Sequence, residues 1–254
     1  ICVAGVYCAV ATTIQPCDPG EYRNLSTGIC FVAPLGQFAA LGATEPADCP
    51  AGSHADVTKL WECKLCPAGK YENERGQEVC KACPIGLFCP EGTTAGTPCA
   101  SGTVRYTVGA ADQDDCEPAP LGNFGVGGFP QPCPTGYYQD QKGTKSEVEC
   151  IRCPEYSTTS EVGQVKIEDC FCQEGFIEDY ALGNDGTIAR QCVCDAGDGI
   201  ESAGGQDACV ACRKGTYKQD RGNLKCLDCN AGGAEAWTTA EEGSKFKSDC
   251  LPYW

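Results

Sequence analysis

The chain has no methionine, a single histidine (His54) and only 19 Lys plus Arg among 254 residues. Each shortage excludes something. With one imidazole there is almost no material for Cys/His zinc sites, Ser-His-Asp triads or histidine general-base chemistry. The few cations, set against 35 Asp plus Glu, leave a net charge of −16 and no Lys/Arg cluster, which argues against nucleic acid as a partner. Val, Ile, Leu and Phe together make only about 17 % of the chain, below the roughly 20 % that supports a large apolar core. Helical bundles, doubly wound sheets and TIM barrels need apolar runs that are missing here. No run approaches the roughly 18 apolar residues that span a bilayer. A phosphate loop and a nucleophile elbow are also absent, and acidic pairs have no core to desolvate them, so the expectation is a protein that is not an enzyme. Because Ile1 is not a translation start, the chain reads as a processed or partial segment.

What the chain has instead is cysteine: 24 residues, about 9 %, with 32 Gly and 16 Pro as turn formers. An even count at this density reads as a disulfide scaffold in which crosslinks replace the core, in an oxidising, extracellular setting.

The cysteines recur in order. Residues 66–83 read CPAGKYENERGQEVCKAC and residues 212–229 read CRKGTYKQDRGNLKCLDC. Both are C-x-x-G-x-Y, a polar stretch with Arg-Gly, then C-x-x-C at equal distance. Residues 133–153 are a longer copy, 49–66 a degenerate one and 17–30 a short one. A longer period lies above this one. The C-x5-C segment from Cys2 matches that from Cys83, and Cys30-Phe-Val-Ala-Pro-Leu-Gly-Gln-Phe matches Cys116-Glu-Pro-Ala-Pro-Leu-Gly-Asn-Phe. The pattern is interrupted at both ends, which points to a longer repetitive chain. In each unit, Gly reverses the chain at positive φ and Pro fixes the entry. The next aromatic (Tyr22, Tyr71, Phe88, Tyr138, Tyr217) is placed to cover a disulfide. Such a unit is too small to stand alone and must stack on its neighbours.

The motif C-P-x-G-x-[YF]…G…C-x-x-C-P resembles the cysteine-rich repeats of ephrin-receptor type and is similar to tumour necrosis factor receptor modules. Cys170-Phe-Cys172-Gln-Glu-Gly-Phe and Cys192-Val-Cys194 look more like the end of an EGF-type module. The resemblance implies a small disulfide-rich fold: an elongated tandem array of short β-hairpin modules with little hydrophobic core and no catalytic site. Its modules are 1–30 (truncated), 31–116, 117–170, 171–208 (EGF-like) and 209–254 (incomplete). The family rule of local closure implies the pairs Cys49–Cys63, Cys66–Cys80, Cys133–Cys150, Cys153–Cys170, Cys172–Cys192, Cys194–Cys209, Cys212–Cys226 and Cys229–Cys250. The C-x5-C segments are expected to interleave, as Cys2–Cys17 with Cys8–Cys30 and as Cys83–Cys99 with Cys89–Cys116.

Other readings compete at particular residues. Cys63/Cys66 with Cys80/Cys83, and Cys209/Cys212 with Cys226/Cys229, have the C-x2-C-x13-C-x2-C spacing of four-thiolate zinc sites. That reading leaves about sixteen cysteines without a role. Asn24-Leu-Ser26 is an N-glycosylation sequon on a predicted hairpin tip. Asp112, Asp114 and Asp115, and separately Asp195 and Asp198, are oxygen-rich enough for calcium but lack EF-hand spacing, and no other cofactor is suggested. Trp61, Trp237 and Trp254 are either interface anchors or disulfide covers. Gly125 to Phe129 reads as a tight turn, or else as a hinge.

The expected role is structural: a rod-like segment of an extracellular coat, matrix or appendage filament, secreted or on the cell surface. It would contact copies of itself or neighbouring surface proteins, without nucleic acid and without a membrane span. A receptor or adhesin ectodomain that binds a protein ligand is the second reading, and an intracellular zinc protein the third.

Overall fold

The computed structural model describes residues 16–182, 188–203, 205–230 and 237–252. Within them the fold is a tandem array of small disulfide-rich modules: thirteen separate two-stranded antiparallel sheets, most strands two residues long, with four single-turn 3-10 helices. No described helix is long and apolar enough to cross a membrane. The chain forms two compact units, residues 1–119 with 125–130, and residues 120–124 with 131–254.

In the first unit one backbone scheme recurs. Repeats open at Cys17, Ala33, Cys49, Cys66, Cys83 and Cys99, with glycine three residues on. That glycine's N–H donates to the carbonyl of the seventh residue of the next repeat: Gly20 to Ala39 (2.8 Å), Gly36 to Ala55 (3.0 Å), Gly52 to Glu72 (2.7 Å), Gly69 to Cys89 (2.8 Å) and Gly86 to Arg105 (3.0 Å). Its carbonyl then accepts the N–H that opens the next repeat, as from Cys66 to Gly52 (2.9 Å) and Cys83 to Gly69 (2.9 Å). The opening cysteine's carbonyl is bonded in turn by a glycine at the next hairpin tip: Gly76 to Cys49 (2.9 Å), Gly92 to Cys66 (2.8 Å) and Gly109 to Cys83 (2.8 Å). With so few side chains to bury, the repeats are joined through main chain.

These bonds bring the backbones too close for a side chain. A Cβ on Gly52 (φ +83°) would lie 2.3 Å from the Gly92 carbonyl oxygen, and one on Gly36 (φ +75°) 2.1 Å from that of Gly76. The obstacle is backbone, so it does not move aside, and only glycine fits the site.

The second unit repeats the scheme through Gly122 to Gln139 (2.8 Å) and Gly197 to Lys218 (2.8 Å). Threonine hydroxyls substitute for carbonyls where Gly136 donates to Thr159 Oγ1 (3.0 Å) and Gly215 to Thr239 Oγ1 (3.0 Å). Two longer hairpins, Ile177–Leu182 with Ile188–Val193 and Asp198–Ala203 with Gln206–Ala211, lie between Cys172 and Cys212. Phe176, Cys192 and Cys194 form a buried cluster here, with Tyr156, Cys172, Ile200 and Cys209 packed against it. Elsewhere the buried apolar residues are chiefly cystine and alanine.

Eleven disulfides join described residues, and none of the described cysteines is free. Hairpins close locally at Cys49–Cys63, Cys66–Cys80, Cys133–Cys150, Cys153–Cys170, Cys172–Cys192, Cys194–Cys209, Cys212–Cys226 and Cys229–Cys250. The four interleaved pairs are corrected. Cys17 bonds Cys30, so neither Cys2–Cys17 nor Cys8–Cys30 forms; Cys2 and Cys8 themselves lie outside the described residues. Cys83 bonds Cys89 and Cys99 bonds Cys116, in place of Cys83–Cys99 and Cys89–Cys116.

The physical reason lies in the repeat. The closing cysteines Cys63 and Cys80 have Gly96 as their counterpart, so the repeat from Cys83 lacks a closing partner. A Cβ on Gly96 would lie 3.3 Å from Cys89 Sγ, which shows the Cys89 sulfur in the vacated space. The repeat from Ala33 also lacks a closing cysteine. There Ala33 and Ala39 occupy the positions of Cys83 and Cys89, with 0 % and 1 % of their surface exposed. The same turn therefore holds without a crosslink.

By loop entropy, the six-residue separation of Cys83–Cys89 contributes about 2 kcal/mol, against about 3 kcal/mol for a fourteen-residue one. The double variant Cys83→Ala/Cys89→Ala is accordingly expected to fold and to melt above Cys49→Ala/Cys63→Ala. Thermal unfolding of the two, compared under oxidising conditions, checks this; an equal or larger loss for the first pair contradicts it.

Candidate functional site

The seventh residue of a repeat is buried in several repeats even where it is polar, as at Glu72, Gln139, Thr159 and Lys218, while Arg23 and Arg105 at the same place are part-exposed. Thr239 is also buried and accepts from Gly215 as Thr159 does from Gly136. Each side chain serves nearby backbone. Glu72 Oε1 accepts the Glu74 N–H (3.0 Å) and the Lys81 ammonium (3.0 Å). Gln139 accepts from the Gln141 N–H (3.1 Å) and donates to the Glu149 carbonyl (2.9 Å). Lys218 Nζ donates to the carbonyls of Asp198 (2.7 Å), Asp195 (3.2 Å) and Cys194 (3.4 Å), and burial lowers its pKa. These plugs were visible in the sequence as a polar residue at a fixed offset, but hydrophobic patterning gives such a position no weight.

The acidic residues considered for calcium have structural partners. A 3-10 turn precedes the closing cysteine in four repeats, at Gln113–Asp115, Glu147–Glu149, Ile167–Asp169 and Lys247–Asp249. Its last carboxylate reaches back to the turn's entry. Asp115 Oδ2 accepts from the N–H of Ala111 (2.6 Å) and Asp112 (3.4 Å). Asp169 accepts from Val165 (3.2 Å) and Lys166 (3.1 Å), Asp249 from Lys245 (3.2 Å) and Phe246 (3.0 Å), and Glu149 from Lys145 (3.0 Å). Asp112 Oδ1 accepts from the Asp114 N–H (2.9 Å). Asp195 Oδ1 accepts from the Ala196 N–H (2.8 Å) and Arg221 Nε (3.1 Å), and those two bonds lower its pKa. The carbonyl of Asp198 faces Lys218.

The zinc quartets come apart, because Cys63, Cys66, Cys80 and Cys83 bond to Cys49, Cys80, Cys66 and Cys89 in turn. Cys209, Cys212, Cys226 and Cys229 pair with Cys194, Cys226, Cys212 and Cys250. His54 stands at the aromatic position of its repeat, with Nδ1 3.3 Å from Cys80 Sγ. His54, Cys66 and Cys80 lie close enough to hold an ion, but both sulfurs belong to one disulfide and neither is a thiolate ligand.

Asn24 sits at the hairpin turn after Glu21–Arg23, and its Oδ1 accepts from the N–H of Ser26 (3.0 Å) and Thr27 (3.1 Å). Trp61 is 60 % exposed, whereas Trp237 pairs through its backbone with the Asn230 amide. Trp254 lies outside the described residues. Gly127 and Gly128, at φ +60° and +84°, make a tight turn. Tyr180, Leu182 and Ile188 are 64 %, 74 % and 70 % exposed on one side of the hairpin Ile177–Leu182/Ile188–Val193, where Leu182 opposes Ile188 and Tyr180 opposes Arg190. At its base Arg190 pairs with Glu178.

The sequence pattern described as tyrosine-protein kinase ephrin type A/B receptor-like matches residues 52–97, 131–170 and 199–250. The rat "Sushi, von Willebrand factor type A, EGF and pentraxin domain-containing protein 1" is 32 % identical over 61 % of this chain and 5 % of its own length. The mouse protein of the same name is 32 % identical over 61 % of this chain and 4 % of its own. Rat thyroglobulin is 35 % identical over 28 % of this chain and 2 % of its own. The chain therefore spans a small fraction of the relatives it matches.

Asp115 gives a test of the acidic turn. Its pKa lies below the ordinary 3.8, chiefly because the Ala111 and Asp112 N–H groups bond the carboxylate. A depressed folded-state pKa stabilises above the unfolded value, and the gain is lost as pH falls through the folded value. Asp115→Ala is expected to melt below the parent chain at neutral pH, with the gap closing as the pH drops below 3.8. A gap independent of pH would remove the carboxylate from the account.

Proposed function

From a chain that belongs to the ephrin type A/B receptor-like cysteine-rich repeat family, we infer a structural role: a rod-like segment of an extracellular coat, matrix or appendage filament, working through protein–protein contacts. The chain is an extracellular-type cysteine-rich repeat protein, and the family carries no recognised catalytic constellation into it. The observation that carries the reading is the main-chain ladder, in which most repeats bond the next through a glycine N–H at one fixed position and through the carbonyl of the opening residue. A chain held this way is extended by adding repeats, and its contacts stay between neighbours.

A receptor or adhesin role is the second reading. It is favoured by the exposed Tyr180, Leu182 and Ile188, an apolar face on a hairpin that stands outside the ladder. Partners would be copies of the chain or neighbouring surface proteins. In the same setting we propose that Asn24 carries an N-glycan, since its side chain lies in an exposed turn and the sequon is intact.

Small-angle scattering tests the rod. A compact domain of this length has a radius of gyration of about 18 Å, and the expected value is well above it; a value near 18 Å would overturn the reading. For the glycan, the chain secreted from eukaryotic cells is expected to lose mass on treatment with an amidase that releases N-glycans. Asn24→Gln should abolish that loss, and an unmodified Asn24 peptide from the secreted chain refutes it.

A further inference from the structure

The repeat that opens at Cys153 departs from its neighbours at the glycine position, and has Thr158 where most of them carry an aromatic or His54. Where Gly52, Gly69, Gly136, Gly197 and Gly215 stand in their repeats, it has Tyr156. Tyr156 keeps the left-handed backbone of those glycines, at φ +58°, and among described non-glycine residues only Lys59 shares that sign. An aromatic held there is strained, and such strain persists only where the surroundings fix it. Here they do. The ring stacks on Phe176 with centroids 4.4 Å apart and planes 9° from parallel. Tyr156 Oη donates to Asp207 Oδ2 (3.1 Å), and its carbonyl accepts the Gln173 N–H (2.8 Å).

The stacked pair lines an open cavity of about 530 Å³ in the second unit. Around the aromatic pair stand planar polar groups of both kinds: Arg152 and Gln206 supply donors, and Glu155, Glu174 and Asp207 supply acceptors. We propose that this cavity binds a neutral saccharide of about two or three rings, a size its volume admits. A sugar ring presents an apolar C–H face and, at its edge, hydroxyls that both donate and accept. The part-exposed Tyr156 ring, backed by the buried Phe176, suits the face, and the mixed guanidinium, amide and carboxylate lining suits the edge. Three carboxylates against one guanidinium leave the cavity net negative, which disfavours sulfated and carboxylated sugars and makes a lone cationic side chain the competing occupant that the test must separate. This site is independent of the rod, since it needs neither self-association nor further repeats.

The test is a titration of isotope-labelled, fully oxidised protein followed by amide chemical shifts. Chitotriose and maltotriose are the neutral probes; a heparin-derived tetrasaccharide and arginine methyl ester are the charged controls. At least one neutral trisaccharide is expected to give saturable shifts around Arg152–Tyr156, Glu174–Phe176 and Gln206–Asp207, with a Kd of roughly 0.1–10 mM. Tyr156→Gly installs the residue that other repeats carry and is expected to raise that Kd by about tenfold or more. Glu174→Gln and Arg152→Ala, on exposed side chains, carry the test if Tyr156→Gly does not fold; each should weaken binding by about threefold. The proposal fails if neither neutral sugar gives saturable shifts at these residues. It also fails if arginine methyl ester binds there instead, or if the folded variants keep the parent Kd.

Discussion

The bond from the glycine N–H of one repeat to a carbonyl of the next is the constraint on which the rest depends. It requires two backbones to meet at a distance no side chain permits, so it fixes glycine at the turn and sets the path of the chain on either side. The opening cysteine follows on the same frame, since its carbonyl receives the next hairpin tip while its sulfur closes the hairpin. His54 sets its Nδ1 3.3 Å from Cys80 Sγ at the sixth position, and at the seventh Glu72, Gln139 and Lys218 turn inward.

That inward position explains why the chain folds with so little hydrocarbon. A buried polar side chain is costly unless its hydrogen bonds are made. Gln139 and Lys218 make them to turn backbone, and Glu72 does so through Oε1 while its Oε2 stays buried without a hydrogen bond. The acidic residue before the closing cysteine does the same outside, at the 3-10 turn. Much of the net charge is thus spent on the chain's own N–H groups, and the acidic clusters have a structural meaning before any binding role.

Where the repeat is broken, the molecule becomes specific. Cys89 stands in for a missing closing cysteine, Ala33 and Ala39 dispense with the crosslink, and Tyr156 holds a glycine backbone under an aromatic stack. The long hairpin after Cys172 groups the exposed Tyr180, Leu182 and Ile188 on one side.

The sequence by itself determined the class of the protein, because cysteine density, the C-x-x-G-x-aromatic motif and the C-x-x-C junctions are one-dimensional signals. The local closures came from the family resemblance, since spacing alone leaves the pairing of 24 cysteines open. The C-x5-C segments were different. Spacing allows Cys83 to pair forward or within its own turn, and the choice rests on Gly96 leaving room for the Cys89 sulfur, a fact about three dimensions. The same holds for the seventh-position plugs, whose burial comes from the neighbouring repeat, and for Tyr156, which meets Phe176 and Asp207 only because two hairpins far apart in sequence fold onto its turn. Only the tertiary structure decided these, because each depends on which backbone the next repeat brings alongside.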